Sequence, residues 1–282
     1  MTERLSDVTA RIASVNQLEA VITAMRGVAA ARSHEARGQL DGIRAYARII
    51  ADAIGVAMTF APPQPRSGIA GHGTEGQAII ALCSEQGFCG AFNDRVLDAV
   101  MRMRAGNDAE LLLIGDRGLG TAGERGLAVA WSAPMVAHTG QVEALAGRIS
   151  EELYRRLDGG GISRVGIVHA LPGASGAVEI AEKALVPFDF GRFPPLRIAM
   201  PPLITLPPTV LLASLAEEYV FAELCEAIML SFAAENEARM RAMISARDNV
   251  AETLDHLTAQ ARQLRQEDIT NEIIEVTNGR VG

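Results

Sequence analysis

One glycine-rich string has a spacing that could bind a ligand. Gly118–Gly123 reads G-x-G-x-x-G and follows a predicted strand at residues 110–114. In dinucleotide-binding folds such glycines let a pyrophosphate approach the N-terminus of a helix. Here no clear long helix is predicted after the string, and it does not follow the first strand of the chain. The sequence therefore favours a flexible turn at 118–123. If the string does bind a nucleotide, the protein would be a nucleotide-binding α/β domain with dimerising helices, and this stays open as the alternative function.

Side chains suited to metal, nucleophilic or redox chemistry are scattered. The five histidines include no i, i+4 pair, so no metal site is predicted. The three cysteines lie in apolar segments, which argues against a disulfide framework and for a reducing compartment. No phosphate loop occurs, and Gly173–Gly176 is predicted to be a hairpin or loop tip. We therefore expect no cofactor and no catalytic residues.

The balance of acidic and basic residues restricts the classes of partner that the protein can bind. The 282 residues carry 26 basic and 34 acidic side chains, a net charge of −8, which argues against nucleic acid bound through bulk charge. The acidic segments 217–218 and 235–237 fall on a predicted helix and are expected to be its solvated face. Apolar residues make up 49% of the chain, enough for a sizeable core. No apolar run is long enough to cross a bilayer and the N-terminus lacks a signal peptide, so an intracellular protein is predicted.

Two long helices are predicted at the ends of the chain. Leu5, Val8, Ile12 and Val15 alternate steps of three and four, the heptad spacing of a coiled coil. A second series runs from Met240 to Leu264, interrupted only by Arg247, inside a stretch without proline or glycine. The simplest way to bury both apolar seams is an antiparallel coiled coil of the two helices.

Between the helices, short apolar runs alternate with helical patterns. This alternation predicts a small α/β layered, Rossmann-like domain with a largely parallel sheet. Strands are expected at 77–84, 110–114, 127–131, 164–169 and 177–186, with helices at 91–104 and 141–157. The predicted organisation is an N-terminal helix at 1–60, a linker at 61–76, the α/β domain at 77–190, a proline-rich connector at 191–208 and a C-terminal helix at 209–282.

Three segments together resemble a known family. They are Ile12–Ala30 on the first helix, Ser84–Asn93 after the first strand, and 238–273 on the last helix, including Ala238-Arg239-Met240-Arg241-Ala242-Met243. The chain resembles the gamma subunit of the F-type ATP synthase over nearly its whole length. It looks like a divergent branch, such as one from a second ATP synthase operon, because the family's Thr-Asp-Asn is Arg247-Asp248-Asn249 here.

The resemblance implies a rotor. The coiled coil would stand inside a hexamer of alpha and beta subunits, and the α/β domain would be a foot that touches the epsilon subunit and the ring of c subunits. Rotation of that ring would drive the shaft and couple ion flow to ATP synthesis or hydrolysis. The protein would be a single-copy peripheral component at the cytoplasmic face of the bacterial inner membrane, not a homo-oligomer. A plain coiled-coil adaptor is a third possibility.

The resemblance also assigns residues. Arg265 and Gln266 match the pair that touches a beta-subunit loop at the top of the shaft, and Met25, with Arg26 beside it, matches a methionine that faces an acidic segment of beta. Asp248 belongs to the same set of beta contacts. The foot-domain motif comprises five residues, Gly87, Phe88, Cys89, Gly90 and Asn93. A tight turn between a strand and a helix explains its glycines, and Cys89 is expected to be a small buried apolar residue.

Overall fold

The computed structural model describes residues 4–60, 76–104, 108–173, 178–196, 200 and 202–278, with side chains up to residue 274. The chain divides into two compact units. One consists of residues 30–239, and the other combines residues 1–29 with 240–282. Most of the predicted linker, residues 61–75, most of the predicted hairpin or loop tip, residues 174–176, and residue 177 of the predicted fifth strand lie outside the described residues.

Two helices far longer than the others stand near the two ends of the chain. The helices are α1 (Leu5–Ala57), α2 (Phe92–Arg104), α3 (Asp116–Glu124), α4 (Val142–Asp158) and α5 (Pro208–Asn278). The strands are β1 (Gln77–Leu82), β2 (Ala109–Ile114), β3 (Trp131–Ala133), β4 (Arg164–Leu171) and β5 (Glu179–Val186). At 53 and 71 residues, α1 and α5 confirm the two predicted terminal helices.

The unit formed by residues 30–239 contains one five-stranded sheet in the order β3-β2-β1-β4-β5. The first four strands are parallel, and β5 pairs antiparallel with β4. β1 and β2 are buried on both faces, which explains their continuous apolar sequences. The largely parallel α/β sheet expected from the sequence is confirmed.

Each face of the sheet has its own core. On one face, side chains of β1, β2 and β4 pack with α4 and with the parts of α1 and α5 in this unit. On the other face, alternate residues of the same strands pack with α2 and with Ala234 and Ala238 of α5. The side chains of α5 therefore contribute to the cores on both faces.

Polar pairs give the direction of the two long helices inside this unit. Arg37 pairs with Glu237, and Arg44 Nε lies 2.8 Å from Glu226 Oε1. Residue numbers rise along α1 while those of the partners fall along α5. The helices are therefore antiparallel here, as expected.

The unit of residues 1–29 and 240–282 has a small apolar core of its own. Ile22, Met243 and Val250 are buried, and Met25 and Leu254 are among the half-buried residues packed against them. Arg247, the interruption in the heptad series, is exposed, with Nε 3.8 Å from Glu19 Oε1. The apolar series on both helices thus forms a seam, as its spacing indicates.

Three sequence predictions are wrong. Residues 118–123 form most of helix α3, because Gly118 fits against Cys83, where a β-carbon would lie 2.0 Å from the Cys83 Cβ. The third strand begins only at Trp131, although the Ala130 N–H already donates to the Leu111 carbonyl of β2 at 2.9 Å. The segment 235–237 is buried, not solvated, because α1 and the turn after β1 supply partners for its polar groups.

Candidate partner-binding surfaces and the buried charges behind them

The turn between β1 and α2 is held closed by a small polar cluster. The Ser84 backbone N–H donates to Asn93 Oδ1 at 2.9 Å, and Asn93 Nδ2 donates to Ser84 Oγ at 2.9 Å. The Cys89 thiol lies 3.4 Å from the same hydroxyl. Burial raises the pKa of the Cys89 thiol, which keeps it protonated. Cys89 is thus a buried small residue, as expected.

Phe88 is the unusual residue of this turn. Its φ is +61°, in the left-handed region that L-residues rarely adopt, and its side chain is 69% exposed. Gly90 has a φ of +60°, which explains why a glycine follows the cysteine. A strained non-glycine residue costs about 1–3 kcal/mol and persists only where its surroundings hold it. The turn therefore presents an aromatic ring to solvent from a fixed backbone.

Arg239 of α5 supplies much of the support that keeps the strained turn in place. Its Nε donates to the Gly87 carbonyl and its Nη2 to the Gln86 carbonyl, each at 3.1 Å. The same guanidinium pairs with Glu235 at 2.5 Å and bonds the Asn236 side chain at 3.1 Å. The side chain is 5% exposed. Arg239 was not among the residues assigned from the sequence, where its only signal was its place in the family-like segment.

Glu235 faces Arg239 from inside the protein. Burial raises the pKa of Glu235, and the Arg239 guanidinium opposes that shift. Its Oε1 also accepts a bond of 3.4 Å from the Gln86 N–H, while Oε2 has no hydrogen-bond partner among the described residues. The pair is a buried charge cluster that joins α5 to the turn after β1.

The edge of the sheet where nucleotides bind in related topologies is covered by α5. The strand order matches the first five strands of a dinucleotide-binding fold except that β5 is antiparallel, and in that fold the ligand lies beyond the carboxyl ends of the central strands. Here the Ser231 hydroxyl donates to the carbonyl of Leu82, the last residue of β1, at 3.2 Å. The residues that follow on α5, Glu235 and Arg239, cover the turn beyond it. Gly118–Gly123 lie within α3 and not at the turn after β1, and of the three glycines only Gly118 packs closely, against Cys83.

The residues assigned to the shaft lie in the unit of residues 1–29 and 240–282. Met25 is half-buried and packs against the small core, and Arg26 beside it is half-buried. Asp248, Arg265 and Gln266 are exposed. The stretch from Arg265 also exposes three apolar side chains, Ile269, Ile273 and Ile274, at 50%, 61% and 51%. Exposed apolar residues beside polar ones are typical of surfaces that bind other proteins.

Neither a metal site nor a membrane span emerges from the described residues. Within them, no cluster of three or more His, Cys, Asp or Glu side chains could hold a metal ion. Within the same residues, no helix is both long enough and apolar enough to cross a bilayer.

The fold defines a class: an α/β protein with two long helices that run antiparallel where they pair within residues 30–239. The family model described as ATP synthase matches residues 4–281. The chain belongs to that family.

Curated relatives agree with this assignment, and a solved structure has a similar fold. The chain is 29% identical to the ATP synthase gamma chain of Solibacter usitatus, with 98% of this chain and 97% of the relative covered. It is also 29% identical to the ATP synthase gamma chain of Rubrobacter xylanophilus, with the same shares covered. The rotor of the Euglena gracilis mitochondrial ATP synthase has a similar fold, with a TM-score of 0.65, 13% identity and 94% and 98% of the two chains covered.

Proposed function

We propose that this protein is the rotor subunit in the central stalk of an ATP synthase. It transmits rotation of a membrane ring of c subunits to a hexamer of alpha and beta subunits, and so couples ion translocation to ATP synthesis or hydrolysis. The observation that carries the proposal is the family match over residues 4–281, in a chain whose two long helices pair antiparallel. The protein is not itself catalytic and binds no nucleic acid.

Rotation can control catalysis only through unequal contacts. A shaft that touches the beta subunits differently biases each catalytic site towards a different state, whereas equal contacts would shift no equilibrium. Two helices of unequal length and sequence form a shaft without three-fold symmetry. Such a shaft meets the requirement for unequal contacts.

The exposed end of α5 supports contacts with the beta subunits. Arg265 offers a planar guanidinium that suits a carboxylate, and Gln266 stands beside it on the same exposed stretch. Met25, Arg26 and Asp248 form a second group of beta contacts. Met25 can serve both the seam and a partner, since it is only half-buried.

The α/β domain is the foot of the rotor. It contacts the epsilon subunit and the c ring, with the motif from Gly87 to Asn93 available through the exposed ring of Phe88. Each complex contains one copy of the chain. The chain is a peripheral component at the cytoplasmic face of the bacterial inner membrane. The coupling ion is selected by the membrane subunits.

A tagged copy of the chain recovered from native membranes tests this function. The expected result is co-purification of alpha, beta and epsilon subunits, with alpha and beta in threefold excess over the bait. Recovery of the bait alone, or as a homodimer, would overturn the proposal. The adaptor interpretation would then account for a homodimer, and a titration with dinucleotide would test the alternative at Gly118–Gly123.

A further inference from the structure

We propose that Glu223 is a positioning residue that holds the α/β domain to helix α5, so that torque applied to the domain reaches the helix. The proposal rests on the rotor function given above. Glu223 lies on α5 within the unit of residues 30–239, and its side chain is only 4% exposed.

Two cations from different elements converge on this one carboxylate. Lys183 of the edge strand β5 places Nζ 2.7 Å from Glu223 Oε1. Arg192, in the short 3-10 helix after β5, places Nη2 3.1 Å from the same oxygen. Lys183 is the only lysine among the 26 basic residues of the chain. The Glu223 cluster (Glu223, Lys183 and Arg192) therefore joins an edge strand and a connector to one point on α5.

Aromatic side chains surround the cluster. The Arg192 guanidinium lies 5.8 Å from the ring centroids of both Phe193 and Tyr219. Phe193 meets Tyr219 edge-on at 4.9 Å, and Phe188 stacks on Phe193 at 5.4 Å. Tyr219 is one turn before Glu223 on α5, so the rings pack the connector against the same part of the helix that holds the carboxylate.

The same connector also touches α1. The Leu196 N–H donates to the Gly55 carbonyl at 2.9 Å, and a β-carbon at Gly55 would lie 2.9 Å from the Pro194 carbonyl oxygen. The connector is thus held by both long helices of this unit. Glu223 contributes the buried charge at this junction.

A buried ion pair suits this role because it is stable only when the carboxylate and its cations keep their relative positions. Apolar side chains can slide past one another at small cost, but a buried carboxylate left without its cations is strongly unfavourable. The best-attested use of such groups is to fix the register of packed helices. Here the carboxylate fixes α5 against turning or sliding relative to β5 and the connector.

The test uses the complete ATP synthase complex with Glu223→Gln in this chain. We expect assembly and ATP hydrolysis to persist, and ion pumping per ATP hydrolysed to fall severalfold. The matched control is Glu182→Gln, which breaks the exposed pair of Glu182 with Arg102, 3.2 Å apart, between β5 and α2. The control should pump as the unsubstituted complex does. A purely structural role would change the thermal stability of the complex without changing this ratio.

Two further variants keep the proposal testable if Glu223→Gln fails to assemble. Lys183→Met and Arg192→Met each leave one cation on the carboxylate, so each should lower the ratio only slightly. Their combination should lower it by far more than the product of the single effects, because the pair is then lost. Normal pumping in Glu223→Gln or in the double variant, or an equal loss in Glu182→Gln, would overturn the proposal. Failure of the unsubstituted chain to assemble would instead contradict the rotor function.

Discussion

Helix α5 contains two stretches of opposite environment. From Ala227 to Arg239 every residue is buried, whereas from Arg265 to Ile274 every residue is exposed. The buried stretch includes two glutamates and an arginine, and the exposed stretch includes three isoleucines. These particular residues are exceptions to the usual preference of charged residues for the surface and of apolar residues for the interior.

This difference in burial matches a division between contacts within the chain and the contacts with other chains that the proposed function assigns. The buried charges have partners inside the protein, at the turn after β1 and on α1. The three isoleucines are at least half exposed and, with Arg265 and Gln266, form the surface that the proposed function assigns to beta subunits. Under the proposed function, the buried stretch holds the rotor together and the exposed stretch contacts the neighbouring subunits.

The largest effect on stability should come from the buried stretch. Ile228→Ala removes a side chain with no exposed surface and should lower the free energy of unfolding by about 2–5 kcal/mol. Ile273→Ala should change it by less than about 0.5 kcal/mol, since that side chain is 61% exposed. Urea unfolding of the isolated chain followed by circular dichroism measures both. Equal losses of unfolding free energy in the two variants would contradict the contrast between the two stretches.

The same contrast should appear within α3. Gly118→Ala puts a methyl group against Cys83 and should destabilise the protein by about 1–3 kcal/mol. Gly120→Ala meets no atom within 4 Å and should stabilise the helix by about 0.5–1 kcal/mol. Opposite shifts in melting temperature are the expected result. Loss of stability in both variants would mean that Gly120 has a contact role of its own.

A smaller effect should depend on pH and on one buried histidine. Burial lowers the pKa of His169, whose side chain is 5% exposed, below its usual 6.5. The unfolded chain then binds more protons, so stability is full above about pH 6.5 and falls as the pH drops towards the folded pKa. The slope from this residue is at most about 1.4 kcal/mol per pH unit. His169 lies near Lys183, which favours the neutral ring, and near Glu226, which opposes it.

Denaturant unfolding at several pH values checks this expectation. His169→Gln should flatten the pH dependence below pH 6.5. His256→Gln changes an exposed histidine on α5 and is the matched control, which should leave the slope unchanged. If the free energy of unfolding of the unsubstituted protein and of His169→Gln depended equally on pH, His169 would not be the cause of the pH dependence.

Much of the fold follows from the sequence. Heptad spacing predicts the long helices, because an apolar series at steps of three and four requires a partner helix. Alternating strands and helices predict the α/β sheet. The series does not reveal that Glu235, Glu237 and Arg239 are buried. The partners of Glu235 and Arg239 lie in a turn about 150 residues away in sequence, and those of Glu237 lie on α1. The helix at α3 escapes prediction because three glycines weaken its local preference.

The candidate surfaces were only partly predictable. The motif at 87–93 was found from its resemblance, and its glycines indicate a turn. The left-handed backbone of Phe88 and the hold of Arg239 on it depend on tertiary contacts that no local pattern specifies. The Glu223 cluster is likewise invisible in sequence, because its three members lie on three different elements.

Coupled ATP synthesis by the complex carrying Arg265→Ala with Gln266→Ala is the most direct test of the rotor account. The chain supplies its own control, since Arg262 and Gln263 repeat the same two residue types three positions earlier and are also exposed. We expect the α/β domain to stay folded, and ion-driven ATP synthesis to be weakened in the 265–266 variant well beyond any effect of Arg262→Ala with Gln263→Ala. Normal synthesis in the 265–266 variant would contradict the claim that the exposed end of α5 acts on the beta subunits.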